Sequence, residues 1–555
     1  MSADPTPPAL KALSAAPSAK EKKYDRQLRL WAAKGQEALE QAQILLLNNG
    51  PGVVGVETLK NLILPGVGSF TIIDPSIVQE EDLGVNFFLA EESLGKSRAK
   101  ECARYLRELN PDAKGEGFDR PFDPDSDLVG PSLVLVTAPS KDLDFISSCC
   151  TDRNIPLLYV QSLGFYSQFS IQLPTSFPIV DTHPDSASTQ DLRLLTPWPE
   201  LAEYAEKKTS QLAKTSDHDH GHIPWLLLLL HYLDKWRESH DGEPPKNYDE
   251  KKDFKTLVES GARRNNPEGG EENFEEASAA VLKSLNPPKI SSGLQEVLNG
   301  AQGQGKTRTT ESDFWIIAEA IGIFHSKHDV LPVPGAIPDM KSQSADYIDL
   351  QNIYKRKARQ DVTEVTGFVR EIERKLQRVQ WIDEKEIEAF CKGANFVKLM
   401  EGRTLRFSEY KRSLMDKKQV QYNNDWTVSA GNLSLEFLMQ EESLLPLYLA
   451  FLIYDRHHSE FVPIDYTKVM EETKEVISSV VAAAGGNEAS ILRAKAEDAV
   501  KELERADGAE LHNISALTGG MVAQEIIKII TKQYVPVDNV CVFDGITSKT
   551  AVFRI

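Results

Sequence analysis

Apolar residues in the first third of the chain fall into two alternating patterns. Residues 44–47 form a short unbroken apolar run, residues 53–64 repeat apolar side chains at helical spacing, and residues 70–73 are a second strand-length run closing on Asp74. The spacing predicts a βαβ unit. It continues with a helix over 96–109, a strand over 133–136, a helix over 142–150 and a strand over 156–160. Strands alternating with helices in this way build a parallel sheet.

After about Pro174 the alternation stops and amphipathic helical spacing takes over, with helices predicted over 225–236, 314–324, 350–359 and 383–392. The apolar run 224–230 breaks off at His231 and Asp234, well short of the roughly 20 residues a membrane span needs. Pro224 suits the first turn of a buried helix. Segments 265–276 and 485–487 read as solvated loops. An apolar helix over 514–531 and strands over 540–543 and 551–555 bring the α/β pattern back. The predicted fold class is α/β, a Rossmann-like doubly wound sheet split by a large, mostly α-helical insertion. Its expected parts are a disordered arm over 1–20, a first sheet segment over 21–174, the insertion over 175–485 and a completing segment over 486–555.

Composition narrows the function. Acidic residues number 83 against 63 basic ones, a formal charge of −20, and such a field repels a polyphosphate partner. Nucleic acid is therefore an unfavoured ligand. Residues 1–20 are rich in Ala, Pro and Ser and lack the apolar core of a secretory signal. Cys102, Cys149, Cys150, Cys391 and Cys541 lack the spacing of a zinc ribbon or a disulfide framework. A reducing compartment, cytoplasmic or nuclear, and no membrane association are the expectations.

Gly50-Pro-Gly52-Val-Val-Gly55 follows a predicted strand and opens a predicted helix. This is the glycine fingerprint that lets backbone approach a phosphate at a helix N-terminus, with Asp74 placed to hold a ribose hydroxyl. Pro51 removes one N–H from such a cradle. Gly300 to Thr307 matches the P-loop pattern, but it follows a helical stretch where the phosphate cradle requires a strand, so a surface loop is expected. His218, His220 and His222 alternate with acidic residues as metal ligands can, yet on one loop without a second ligating element they read as solvated. No Ser, His and Asp constellation stands out, and the cysteines read as packing residues. Leu331, Pro332, Val333, Pro334, Ile337, Pro338, Asp339 and Met340 lie on a proline-stiffened apolar loop suited to a preformed contact surface, or to a rigid interhelix connector.

Tyr24-Asp-Arg26-Gln27, the glycine loop, Leu62 to Phe70, Glu81 to Phe88, Leu94 to Ala99, His512 to Leu517 and Gly519 to Ile530 together resemble the activating enzymes of ubiquitin and ubiquitin-like modifiers. The resemblance spans nearly the whole chain and is greatest to the regulatory, non-catalytic half of the heterodimeric neddylation branch. It implies a pseudo-adenylation domain. Where active members of the family carry a second acidic residue, an Asn, an Arg, a Lys and an Asp, this sequence has Ser76, Gly84, Val85, Arg98 and Ala138. Most of the anionic ligands for magnesium and the cationic clamps for triphosphate are thus missing. Cys391 does not stand in the family's catalytic cysteine motif. Gly50, Gly52, Gly55 and Asp74 are then remnants, no cofactor is expected on this chain, and ATP and magnesium are expected on a catalytic partner subunit. The implied partners are that subunit, the ubiquitin-like modifier of neddylation and, through the complex, a conjugating enzyme. Arg26 matches an arginine that reaches across the family's dimer into the partner's ATP site; the alternative is a tether for an N-terminal helix. A stand-alone NAD-dependent oxidoreductase and a pure scaffold are the rival functions.

Overall fold

The structure is a computed structural model. It describes residues 18–182, 191–263, 269–287, 289–301, 312–400, 402–405, 421–423, 431–432, 443–460, 464–483 and 489–554. Its contacts divide the chain into two units, one of residues 1–177 with 400–555 and one of residues 178–399.

The first unit is built on a ten-stranded sheet. Its strands are β1 Gln43–Leu47, β2 Ser69–Ile73, β3 Lys114–Phe118, β4 Leu133–Thr137, β5 Leu157–Leu163, β6 Tyr166–Gln172, β9 Gln421–Asn423, β10 Gly431–Asn432, β11 Val540–Asp544 and β12 Lys549–Arg554. They run in the order β10-β9-β12-β11-β6-β5-β4-β1-β2-β3. The pairs among β5, β4, β1, β2 and β3 are parallel, and every pair from β5 through β6 to β10 is antiparallel. Strand order reverses about β1 and β4, where a doubly wound sheet opens a ligand crevice. Helices Val53–Ile63 and Arg98–Leu109 supply two of the crossovers. Helix His512–Thr531 is long and apolar enough to cross a membrane, but 61% of that stretch is buried in the protein. It lies so close to helix Val53–Ile63 that a β-carbon on Gly519 would stand 2.9 Å from Thr58 N.

Helices Leu445–Glu460 and Tyr466–Ala483 also belong to this unit, although the sequence pattern predicts one helical insertion reaching residue 485. Their apolar faces explain the difference: Tyr448, Phe451, Val469 and Ile477 share one core cluster with Val134, Val136 and Leu157 of the sheet.

The second unit is helical. The predicted helix over 350–359 is the middle of a longer one, Ser344–Lys375, and Pro224 sits one position ahead of helix Trp225–Ser239, as its N-cap. A short two-stranded sheet pairs β7 Phe177–Val180 with β8 Val397–Met400. Two apolar clusters fill the unit, one around Leu226, Leu229 and Phe254 and one around Ile317, Ile321 and Phe390.

Two expected solvated segments are corrected. Residues 264–268 lie outside the described residues, but the supposed loop over 265–276 already contains the start of helix Glu272–Ser284, and Glu271, Asn273 and Phe274 are buried. His220, expected on a solvated loop, ends a short helix, Asp217–His220, and is buried too. Its Nδ1 lies 2.8 Å from Glu271 Oε1 and its ring stacks on Phe274. Each polar group is tolerable inside because the other satisfies it. Of the expected arm, residues 1–17 lie outside the described residues, and Ser18 caps a helix over Ala19–Lys23.

Candidate functional site

The glycine fingerprint sits where the fold places it, between β1 and helix Val53–Ile63. Gly50 and Gly52 take φ of +57° and +64°, the left-handed region open to glycine. A β-carbon on Gly50 would stand 2.9 Å from the Ala138 carbonyl, and one on Gly52 would collide with Asn48. Asp74 follows the end of β2 and is completely buried.

The carboxylate that would receive a ribose is taken by the chain itself. The Asp74 carboxylate accepts from Arg98 Nε at 2.7 Å and Nη2 at 3.2 Å, from Asn48 Nδ2 at 2.9 Å and from Ser76 N at 2.9 Å. Arg98, 4% exposed, also donates to Asp82 Oδ1 at 3.1 Å and to the Gly50 carbonyl at 2.7 Å. Burial alone would lower its pKa; the bonds to Asp74 and the charge of Asp82 outweigh that and hold it above the usual arginine value. This guanidinium closes the crevice floor rather than reaching into it.

The helix N-terminus is closed in the same way. The amides of Val53 and Val54 donate to Glu510 at 3.2 and 2.9 Å, and Ser515 Oγ donates to it at 2.5 Å. A carboxylate thus occupies the place that a phosphate takes at such a helix end. Glu510 is buried, and that burial pushes its carboxyl up to about 7 against the downward pull of Ser515 and the two amides. A nucleotide reaching for the Asp74 carboxylate or for the Val53 and Val54 amides therefore meets groups that already have partners.

The five positions at which the resemblance implies lost ligands fall as follows. Ser76 follows β2, Gly84 and Val85 follow the short helix Glu80–Leu83, Arg98 opens helix Arg98–Leu109, and Ala138 follows β4. Sequence reasoning missed Glu510, which lies 457 residues from Val53, and it missed Asp82. No local pattern marks either as a partner of the glycine loop.

Arg26 stands apart. Tyr24 is buried, its hydroxyl accepts from Asn110 Nδ2 at 3.1 Å, and helix Asp25–Gln41 is broken at the buried Trp31 and at Ala32. Two residues beyond the Tyr24 anchor, Arg26 is exposed and has no ion pair among the described residues. The proline-stiffened loop is largely built into the second unit. Val333 is buried and its N–H donates to Asp361 at 3.0 Å, Met340 is buried, and Ile337 packs on the core, leaving Ala336 and Asp339 exposed.

No cysteine is poised to react. All five are buried, and burial pushes Cys102, Cys150, Cys391 and Cys541 up to about 12, far from the thiolate state at neutral pH. Among the described residues no group of three or more His, Cys, Asp and Glu is placed to hold a metal ion. Gly300 lies in the last turn of helix Ser292–Ala301, and the rest of the P-loop pattern, from 302 on, lies outside the described residues.

The model of the ThiF family matches residues 24–555. The NEDD8-activating enzyme E1 regulatory subunit of Xenopus laevis is 35% identical over 97% of this chain and 99% of its own length. The NEDD8-activating enzyme E1 regulatory subunit AXR1 of Arabidopsis thaliana is 33% identical over 96% of each chain. Among solved structures, Escherichia coli MccB superposes with a TM-score of 0.26 at 18% identity, covering 29% of this chain and 48% of MccB. From the family match and the full-length relatives, the chain belongs to the ThiF family, in its branch of NEDD8-activating enzyme E1 regulatory subunits.

Proposed function

We propose that this chain is the non-catalytic half of a heterodimer that activates the ubiquitin-like modifier of neddylation, acting in the cytoplasm or nucleus. The catalytic partner holds ATP and magnesium, adenylates the modifier's C-terminus and takes it onto a cysteine, from which a conjugating enzyme receives it. This chain supplies scaffold and modifier-binding surface. The observation that carries the proposal is the crevice filled from within: Arg98 occupies Asp74 and Glu510 occupies the helix amides, so the adenylation fold is kept without its ligand contacts. The buried cysteines support placing the thioester on the partner.

ATP–pyrophosphate exchange is the test. The chain alone gives none, and addition of the catalytic partner with the modifier gives exchange; exchange by the isolated chain would overturn the proposal. The rival dehydrogenase needs a free Asp74 carboxylate for the ribose, and both its oxygens are engaged. Saturable binding of a nicotinamide dinucleotide to the purified chain would restore that rival.

The exposed Arg26 acts in trans, its guanidinium offsetting charge that develops on the partner's α-phosphate as the modifier's carboxylate attacks. Groups of this kind contribute roughly 3 kcal/mol to a transition state. Arg26→Ala therefore slows exchange by the complex about a hundredfold, with association of the subunits in gel filtration intact. Unchanged exchange would return Arg26 to the role of a tether.

A further inference from the structure

The second unit contains a trough that the crevice chemistry does not use. Two cavities of about 520 and 670 Å³ share Arg193, Thr196, Lys289, Ile290, His325 and Asp329 in their linings, so they run together. Each alone has the volume of an ordinary ligand site, a few hundred to about 1,000 Å³. The lining includes an apolar set, Leu331, Pro332 and Pro334 of the stiff loop with Ile290 and Phe396.

The rim is cationic in a chain whose net charge is −20. Some of its charge is used locally: Arg193 Nε bonds Asp191 Oδ2 at 2.6 Å, Lys357 Nζ bonds Asp361 Oδ1 at 2.7 Å, and Lys392 Nζ bonds Glu388 at 2.6 Å. Lys283 and Lys289 are different. Both are exposed, both line the trough, and neither has an ion-pair partner among the described residues. Against them stands one lining carboxylate without an ion pair, Asp329, at the end of helix Asp313–His328.

We propose that this trough is a docking site for an acidic, partly apolar peptide segment of a protein partner. The apolar part of the lining accepts the segment's apolar side chains, and Lys283 and Lys289 meet its carboxylates. Because the whole chain repels anions, an acidic peptide has no general attraction to the surface, and saturable binding reports on a local cationic site.

The test is fluorescence anisotropy of the full chain with a short fluorescein-labelled peptide alternating glutamate and leucine. The expected result is saturable binding that weakens as sodium chloride is raised and that falls about tenfold or more in K283E/K289E. Both lysines are exposed, so the variant keeps its thermal midpoint, and K283Q/K289Q gives a smaller loss in the same direction. Any of four results would overturn the proposal: no saturable binding, equal binding of a peptide with lysine in place of glutamate, unchanged affinity in the variants, or displacement of the peptide by millimolar inorganic phosphate, which marks a small-anion site.

Discussion

Glu510 is a buried acid at the positive end of a helix, and two opposed effects fix its behaviour. The Val53 and Val54 amides and the Ser515 hydroxyl favour the carboxylate, while removal from water disfavours it more strongly, leaving the group at about 7. In the unfolded chain the same side chain titrates near the ordinary value of 4.5. Between those two pH values the folded protein holds a proton that the unfolded chain has released. The contribution of Glu510 to stability is therefore fully present below the lower value and is lost as pH rises through the higher one. Glu510→Gln cannot titrate. Chemical denaturation of both proteins from pH 4 to pH 8 isolates the effect, since the other groups cancel in the difference. Relative to the variant, the parent loses stability on the order of 3 kcal/mol across that range. Parallel curves would mean that Glu510 ionises in the folded protein much as it does in the unfolded chain. The glutamine also turns an amide donor toward a backbone donor, a mismatch that costs about 1–3 kcal/mol.

Two neighbouring glycines on helix His512–Thr531 separate packing from propensity. A β-carbon at Gly519 would lie 2.9 Å from both Glu57 Cβ and Thr58 N, whereas one at Gly520 meets nothing within 4 Å. Gly519→Ala must push two helices apart and costs about 1–3 kcal/mol. Gly520→Ala gains about 0.5–1 kcal/mol from helix propensity alone. Urea denaturation of the two variants checks the opposite signs; equal shifts would show that the helix crossing is not tight at Gly519. In sequence, the elements that announce themselves have one-sided patterns: the apolar runs of β1, β2 and β4 and the helices between them could be read directly. β3 could not, because Lys114-Gly-Glu-Gly-Phe118 shows no alternation; its glycines are there so that Phe70 and the backbone of Ala99 can approach. β6 is hidden for another reason. Ser167, Gln168 and Ser170 are buried polar residues that break the apolar pattern; Thr518 Oγ1, far away in sequence, donates to Ser167 at 2.6 Å, and Gln168 Nε2 donates to Gln161 of β5. The closed crevice was half legible: Asp74 and Arg98 could be seen as family positions, but their union with each other and the approach of Glu510 depend on contacts between distant segments.

At the scale of the whole chain, the question is whether the second unit is an insertion that the sheet can do without. Each unit has its own apolar core: Val134, Leu157, Phe451 and Leu492 in the first, and Leu226, Phe254, Ile317 and Phe390 in the second. The chain enters the second unit after Phe177 and leaves it before Met400. Asp181 N donates to the Phe396 carbonyl at 3.3 Å, so the outgoing and returning segments lie side by side. Inserted units are tolerated where their ends are close, because the host chain then needs little extra loop closure. Replacing residues 182–395 by a short Gly/Ser linker therefore leaves a folded sheet protein. Its thermal unfolding stays cooperative, its helical signal in circular dichroism falls, and Glu510→Gln changes its pH dependence as it does in the full chain. The trough is removed with the second unit, so this protein gives no saturable anisotropy change with the acidic peptide. A non-cooperative melt would show instead that the core around Phe451 depends on the helices of residues 178–399, and that the sheet is not an independent folding unit.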